Sequence, residues 1–359
     1  MAGKFEFKPF SHIDLADPFF DTLKKDYPEF AEFWFPKCVQ EGRGAWVFSD
    51  EKGLGAFIAL KEENEEIFLE GISLPACPRL KVSTLRLAER FRGQRLGEGA
   101  LGLILWIWKQ QPVEEIYLTI FPEHQDLITQ VERFGFINVG RNERGENVYL
   151  RSKKSIDFSD PYKSFPFISP DFEKGGYLIV DDNYHDTLFP YSELKNEFQE
   201  QLNKDVANGI TKIYIGKQWQ THYKVGEPVF IYRKHQRGGQ PRYRSCVTSY
   251  CVIADVIAIK RNNRAIVDFE SYKAMIGNKS VFSDATLRER YEKDRNVTVI
   301  KLLYCGYFGA GKNVNMDWLD RHGLWSINGG YPANTQLTKS QCEQIFEQGK
   351  VSIDKVYGR

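Results

Sequence analysis

The stretch RFRGQRLGEGALGLILW, residues 90–106 of the 359-residue chain, combines glycines and cations with an apolar run. A glycine-rich turn that opens a helix presents bare backbone N–H groups to a phosphate. Glycine permits close approach, and the start of the helix carries partial positive charge. The stretch therefore predicts a phosphate-binding turn between Gln94 and Gly99.

A second group of residues with chemical potential lies around the polar turn HQRGGQP. Its cations and aromatic residues are Tyr232, Arg233, Lys234, Arg237, Arg242, Tyr243 and Arg244. Cations neutralise phosphates and aromatic rings stack on bases, which is how single-stranded nucleic acid is commonly bound. The structural alternative is a solvated basic hairpin whose tyrosines support a sheet.

Length and composition indicate a globular protein with two domains. A chain of 359 residues is too long for a typical single core, and 42% hydrophobic with 27% charged residues is an ordinary composition. We find no apolar signal core and no stretch near the roughly 18 apolar residues of a membrane span, so we expect a cytoplasmic protein. The six cysteines form no C-x-x-C pair, which predicts reduced thiols and no metal site.

Charge is distributed unevenly along the chain. Residues 1–150 contain 18 Lys and Arg against 24 Asp and Glu, a balance of −6, and the remainder balances at +7. The basic second half is the better candidate for a polyanionic partner. A chance distribution of solvated charges is the alternative.

The elements that must position these residues divide near residue 160. Residues 151–176 mix charge with three prolines and a glycine pair, so we assign domains to 1–152 and 176–359, with a linker over 153–175. Strand patterns surround an apolar helix, predicted over 97–110, in the first part, which predicts an α+β domain with a mixed sheet and flanking helices. The second part is rich in strands and predicts a small β-barrel with peripheral helices, so the whole chain is α+β.

The first part resembles the GNAT superfamily of N-acetyltransferases. The family signature Q/R-x-x-G-x-G/A is matched by Gln94-Arg95-Leu96-Gly97-Glu98-Gly99, and its later l-G-F landmark by Phe134-Gly135-Phe136 with Gly140 after it. Both landmarks stand in the order and spacing of the family. A Rossmann dinucleotide site is the nearest rival, but there G-x-G-x-x-G follows the first strand, whereas this turn comes late.

This resemblance implies acetyl-coenzyme A as the cofactor. Backbone N–H groups of the signature would hold its pyrophosphate, from Gln94 and Arg95 through Leu96, Gly97, Glu98 and Gly99. The strand LKVSTLRL would open to receive the pantetheine arm, with Leu85 and Leu87 supplying backbone hydrogen bonds. Arg92 and Arg95 either pair with the phosphates or are exposed loop cations.

The chain departs from the family where the catalytic acid is expected. Many members have a tyrosine four residues before the helix-ending glycine, and this chain has Val131. The substitutes are Tyr117 and His124, whose reference pKa values lie near 10 and 6.5. Water can also protonate the thiolate. Glu70 and Glu89 are candidate bases, although abundant carboxylates are mostly solvated, and Tyr117 and His124 have structural alternatives in a strand core and a helix start.

The second part resembles the PUA-like superfamily, in particular its ASCH and EVE branches. The matching features are GEPVFIYR, residues 226–233, and the following strand SCVTSYCVIADV. These domains generally bind RNA or modified nucleotides, which implies an RNA partner, tRNA among the options, for the basic hairpin.

Together the two parts predict an acetyl-coenzyme A dependent N-acetyltransferase that acts on an amine of RNA, of aminoacyl-tRNA or of an RNA-associated protein. A toxin or a regulator is compatible with that chemistry. The first alternative is a binding protein that senses the coenzyme without turnover. The second is a small-molecule or protein acetyltransferase whose other domain only forms a homodimer.

Overall fold

The computed structural model describes residues 4–195, 199, 205–218, 222–236, 238, 240–325 and 335–359. Its contacts divide the chain into two compact units, the first Met1–Ile104 with Gln111–Ser155 and the second Leu105–Gln110 with Ile156–Arg359. Each unit has a sheet with surrounding helices, so the predicted α+β class is confirmed. No helix in the described ranges is long and apolar enough to cross a membrane.

A mixed sheet of seven strands forms the centre of the first unit. Its order is β1-β2-β3-β6-β7-β9-β8, and β4 and β5 form a separate hairpin. The strands of this unit are β1 (Glu6–Pro9), β2 (Gly44–Asp50), β3 (Gly53–Glu63), β4 (Ile67–Leu69), β5 (Ile72–Leu74), β6 (Arg79–Leu87), β7 (Glu115–Ile120), β8 (Ile137–Arg141) and β9 (Asn147–Ser152).

The helices of this unit are α1 (Asp21–Asp26), α2 (Phe35–Gln40), α3 (Leu96–Gln110) and α4 (Gln125–Arg133), although the last residues of α3, Leu105–Gln110, belong to the second unit. Helix α3, predicted over 97–110, is buried along most of its length because its run from Leu101 to Trp108 is apolar nearly all round. It ends just before the dipeptide Gln111-Pro112, since a residue that precedes proline disfavours helical backbone.

The sheet changes its geometry between β6 and β7. These strands are parallel, but they pair only over Arg79–Lys81 and Glu115–Tyr117. Farther along, β6 continues to Leu87 and keeps only its antiparallel partner β3. The register with β3 shifts by one residue at Ser83, a β-bulge that bends β6. A split therefore opens in the middle of the sheet.

An eight-stranded mixed sheet forms the second unit, in the domain predicted as a small barrel. Its main path is β11-β15-β13-β12-β10-β17, with β14 and β16 paired to β13 and with β10 parallel to β12. The strands are β10 (Lys174–Asp181), β11 (Thr211–Gly216), β12 (Pro228–Lys234), β13 (Cys246–Arg261), β14 (Arg264–Ala265), β15 (Val297–Tyr307), β16 (Val314–Asn315) and β17 (Gln336–Thr338).

Helices surround this second sheet, as the sequence predicts. They are α5 (Pro161–Ser164), α6 (Asp182–Leu188), α7 (Asp205–Asn208), α8 (Pro241–Arg244), α9 (Phe269–Ile276), α10 (Asp284–Lys293), α11 (Met316–Arg321), α12 (Lys339–Gln348) and α13 (Ile353–Tyr357). Residues 153–175, interpreted as a linker, contain α5 and contribute Phe165, Phe167 and Ile168 to the buried interior. Aromatic burial thus orders a segment whose prolines and charges resemble those of a linker.

Candidate active site

A short turn connects β6 to α3 and is fixed by side-chain hydrogen bonds. Arg90 donates to the two carboxylate oxygens of Asp50 at 2.8 and 3.2 Å, and the Gln94 amide donates to the Arg90 carbonyl at 2.7 Å. Gly93 and Arg95 have φ values of +76° and +62°, so the backbone adopts the left-handed region twice. This turn leads the chain directly into the helix.

The start of α3 offers main-chain donors. The Gly99 N–H donates to the Arg95 carbonyl at 3.1 Å, which begins the helical ladder. Helix geometry therefore leaves the N–H groups of Leu96 and Gly97 without an intrahelical acceptor, at the positive end of the helix dipole. The Arg95 side chain is 7% exposed and forms an ion pair with Glu98 at 2.8 Å. A phosphate at this turn would therefore contact main-chain N–H groups rather than the Arg95 side chain.

Arg92 is the exposed cation of this turn. Its side chain forms no hydrogen bond or ion pair with the described residues. Of the two arginines weighed as phosphate contacts, Arg92 is the one that faces solvent and Arg95 is the one held inside the turn.

The split between β6 and β7 begins next to this helix start. A Cβ built on Gly97 would lie 3.8 Å from Leu87 Cδ2, which places the end of β6 beside the first turn of α3. Leu85 and Leu87 lie on the part of β6 that pairs with β3 but not with β7, two residues apart, so their main-chain groups point to the same side. Six residue steps from Lys81 to Leu87 span about 20 Å, a length that an extended phosphopantetheine arm can follow.

A pocket of about 220 Å³ lies at the closed end of the split. Lys81 and Tyr117, the last residue pair before the strands separate, line it. Its charged side chains are four carboxylates and two cations, a formal charge of −2: Glu63, Glu65, Glu66, Glu143, Lys81 and Arg144. The pocket is therefore acidic overall.

Glu63, the last residue of β3, has a side chain that is 3% exposed. It accepts a hydrogen bond from the Tyr117 phenol, and its second carboxylate oxygen lies 3.1 Å from Lys61 Nζ and 4.0 Å from Lys81 Nζ. These four side chains share one face of the sheet because cross-strand partners point to the same side. A carboxylate placed in this way can accept a proton from an amine.

The Tyr117 phenol is protonated at neutral pH. Burial raises its pKa well above the ordinary value near 10, and the hydrogen bond to the Glu63 carboxylate raises it further. A phenol with a raised pKa is a weaker acid toward a thiolate than an ordinary tyrosine. The geometry therefore favours a positioning role for Tyr117, which holds Glu63, over the acid role that the sequence suggested.

The other predicted catalytic residues lie outside this pocket. His124 is exposed at the N-cap of α4, where its side chain caps no backbone N–H. Glu70 is exposed in the turn between β4 and β5, where its N–H donates to the Arg141 carbonyl at 2.8 Å. Glu89 is exposed in the turn before α3, and Val131 is completely buried in α4.

Sequence reasoning missed Glu63. The run KEENEE looks like a solvated acidic loop, yet β3 continues through Glu63 and buries that one carboxylate. Strand alternation could have identified Glu63 from the sequence. It places Lys61 and Glu63 on the same face of β3 as Phe57 and Ala59, which belong to the core.

In the second unit, Tyr232 and Arg233 require a correction. Both were predicted as nucleic-acid contacts, but they are 0% and 1% exposed. Arg233 donates twice to Asp186, at 2.8 and 2.9 Å, and His185 Nδ1 lies 2.9 Å from the same carboxylate. Burial opposes ionisation of Asp186, but these hydrogen bonds outweigh it and hold its pKa at about 2. Arg233 is therefore a structural ion-pair partner.

Arg242 of α8 is also paired. It lies 2.5 Å from Asp317 and 3.2 Å from Asp320, both on α11. Tyr243 beside it is 54% exposed. The acidic residues of α11 thus neutralise a cation that the sequence alone presents as unopposed.

The remaining cations of the hairpin differ in their surroundings. Lys234 lies 3.8 Å from Asp181, and Arg244 donates to the Gly238 carbonyl at 3.2 Å. Arg237 lies outside the described residues. The hairpin is therefore less basic than its sequence indicates.

Comparisons with known proteins find solved structures that are similar to part of the chain. No family model matches the chain, and no curated protein matches it. A GNAT-family acetyltransferase of Streptococcus agalactiae is similar over 43% of this chain and 99% of its own, at 11% identity and a TM-score of 0.30. An ASCH protein of Zymomonas mobilis is similar over 48% of this chain and 94% of its own, at 13% identity and a TM-score of 0.31.

Arabidopsis thaliana NAA60, solved with a bisubstrate analogue, is similar over 41% of this chain and 95% of its own, at 17% identity and a TM-score of 0.29. Structural neighbours thus include GNAT acetyltransferases and ASCH proteins. At these TM-scores the similarities transfer no function to this chain.

Proposed function

We propose that the first unit is an acetyl-coenzyme A dependent N-acetyltransferase. One observation carries the proposal: the split between β6 and β7 has the start of α3 at its open end and the pocket with Glu63 at its closed end. The split thus offers main-chain donors for a diphosphate at one end, a groove for a linear arm along its length and a proton acceptor at the other end. Acyl transfer from the coenzyme needs these three features in this order.

Each of these groups has one role in the proposed reaction. The N–H groups of Leu96 and Gly97 bind the diphosphate, and the unpaired main chain at Leu85 and Leu87 binds the pantetheine arm. The amine nitrogen bonds to the thioester carbonyl carbon while the carbon–sulfur bond breaks. Glu63 takes one proton from the ammonium form of the amine before attack. The proton that the nitrogen loses on attack passes through water to the departing thiolate, since a thiol with a pKa near 8.5 is a good leaving group.

A coenzyme sensor without turnover is the second candidate function. Val131 favours it, because an apolar residue stands where the usual tyrosine acid would be and is completely buried. Release of free thiol from acetyl-coenzyme A separates the two functions, since a sensor binds the coenzyme and releases none.

For the second unit, RNA binding has one supporting feature, the exposed Tyr243 between Arg242 and Arg244 on α8. The ion pairs of Arg242 and Lys234 count against it, because paired cations release fewer counterions when they contact phosphates. An RNA-borne acceptor consequently has weaker support than the acetyl transfer itself.

Gly97→Asp tests the coenzyme site. A carboxylate in the first helical turn stabilises a helix, so the protein should stay folded, yet the charge opposes the diphosphate. We expect the Kd for coenzyme A, measured by calorimetry, to rise at least tenfold. Gly97→Ala is the matched control, because its Cβ would lie 3.3 Å from the flexible end of Gln130. Equal affinity in Gly97→Asp and wild type would contradict the proposed site.

A further inference from the structure

The charge of the pocket beside Glu63 indicates which amines it accepts. Its formal charge is −2, from four carboxylates and two cations. Both cations already have carboxylate neighbours: Arg144 lies 2.8 Å from Glu29, and Lys81 lies 4.0 Å from Glu63. The excess negative charge is therefore left for a ligand to neutralise.

Glu66 and Glu143 hold that excess charge. Glu143 is exposed and forms no hydrogen bond or ion pair with the described residues. Glu66 accepts a hydrogen bond from the neutral hydroxyl of Ser73, which leaves its charge uncompensated. Glu65 differs from both, because Lys61 Nζ lies 2.8 Å from its carboxylate. Two acidic positions thus face the pocket in addition to the buried Glu63.

Phe68 supplies an apolar surface in the same pocket. It is 61% exposed, whereas Ile67 and Leu69 on either side of it are buried. Strand alternation in β4 therefore places this ring outward, beside the carboxylates. An exposed aromatic ring next to acidic groups binds methylene chains and, through its π face, ammonium groups.

We infer that the acceptor is an aliphatic polyamine, a slim chain with one primary amine to be acetylated and at least one further positive charge. This inference rests on the proposed function. The reacting end lies at Glu63, the methylene chain lies against Phe68, and the second ammonium lies between Glu66 and Glu143. A pocket of about 220 Å³ has room for such a chain.

The reaction balances with these groups. The ammonium loses one proton to Glu63 before attack, the nitrogen–carbon bond forms as the carbon–sulfur bond breaks, and the second proton ends on the thiolate. The products are the monoacetylated amine, free coenzyme A thiol and one proton, which Glu63 returns to solvent. An RNA acceptor would instead bring phosphates toward four carboxylates, which is electrostatically unfavourable.

Thiol release by the full-length protein with acetyl-coenzyme A tests the inference. Spermidine is the tricationic probe and 1,5-diaminopentane is the dicationic probe. Pentylamine is the monocation of the same length as 1,5-diaminopentane. We expect kcat/KM to be at least tenfold higher for the polyamines than for pentylamine, with a KM that rises with ionic strength. A lysine-containing peptide and bulk tRNA are the competing acceptors.

The double variant Glu66→Gln with Glu143→Gln should raise the KM for spermidine about tenfold, the order expected for two exposed ion pairs. Its control is Glu62→Gln, an exposed carboxylate on β3 that does not line the pocket.

Equal use of pentylamine, or preference for the peptide or for tRNA, would overturn the polyamine assignment but leave the proposed acetyltransferase activity unaffected. Absence of coenzyme binding by calorimetry would overturn the proposed function, and the polyamine assignment with it.

Discussion

Glu63 illustrates how position changes the chemistry of a common side chain. The carboxylates of residues 62–66 are adjacent in sequence, yet Glu63 alone among them has a buried side chain and receives the Tyr117 phenol. Burial and fixed hydrogen bonds suit a general base, because its position does not have to be organised during the reaction.

Glu63→Gln tests this role. The amide keeps the size of the side chain but cannot take the proton of the amine, so we expect kcat to fall by about 10²-fold to 10⁴-fold. Coenzyme affinity, measured by calorimetry, should stay within about twofold of wild type, because Glu63 lies at the far end of the split from α3.

Glu62→Gln is the matched control for that variant, with an expected kcat near wild type. A Glu63→Gln protein that retains half of the wild-type kcat would show that another group takes the proton.

For individual residues, the sequence predicts which type of side chain is present better than it predicts the environment of that side chain. The place of Tyr117 on a strand was predictable, but its raised pKa depends on burial and on Glu63, which is 54 positions away in sequence. Arg233 stands among other cations in the sequence, which suggests a basic surface. Its ion-pair partner Asp186 comes from a different element, so the pairing could not be predicted from neighbouring residues.

At the scale of elements, the split in the first sheet depends on how few residues of β6 and β7 pair. Local patterns predicted most strands of this sheet, but not β8, and placed the start of α3 within one residue of its position. The three-residue pairing of β6 with β7 and the bulge at Ser83 were not predictable, because they arise from contacts between distant segments. The partners of β6 are 36 positions away in sequence on β7 and 22 to 25 positions away on β3 at the bulge.

The second unit joins α6 to β12 through the Asp186–Arg233 ion pair. Arg233→Met should lower the free energy of unfolding of this unit by about 3 to 5 kcal/mol at pH 7, because it leaves a buried carboxylate without its partner. Urea unfolding followed by circular dichroism measures the change. Arg244→Met, at an exposed position, should change it by less than about 0.5 kcal/mol.

Acid titration gives the same experiment an independent readout. The pKa of Asp186 is about 2 in the folded chain, below its ordinary value of 3.8. The ionised group therefore contributes stability above about pH 4, and this contribution is lost as the pH falls toward 2. Arg233→Met should remove most of that pH dependence. Unchanged unfolding in Arg233→Met would mean that Arg233 is available for another role.

At the scale of the whole molecule, the two halves differ in charge as the sequence shows, −6 against +7. The structure adds where those charges lie. Acidic residues of the first unit line a pocket, whereas several cations of the second unit face acidic neighbours. Net charge alone therefore overstates the basic surface and hides the acidic site, since a sum does not record which charges are paired.

The proposed acetyl transfer by the first unit requires that the coenzyme occupy the split, and a crystal structure of the full-length protein with acetyl-coenzyme A measures this directly. We predict the diphosphate at the N–H groups of Leu96 and Gly97, the pantetheine arm between β6 and β7, and the thioester at the closed end beside Glu63. A split that stays filled by side chains at saturating coenzyme, or a coenzyme bound elsewhere, would contradict the proposed function.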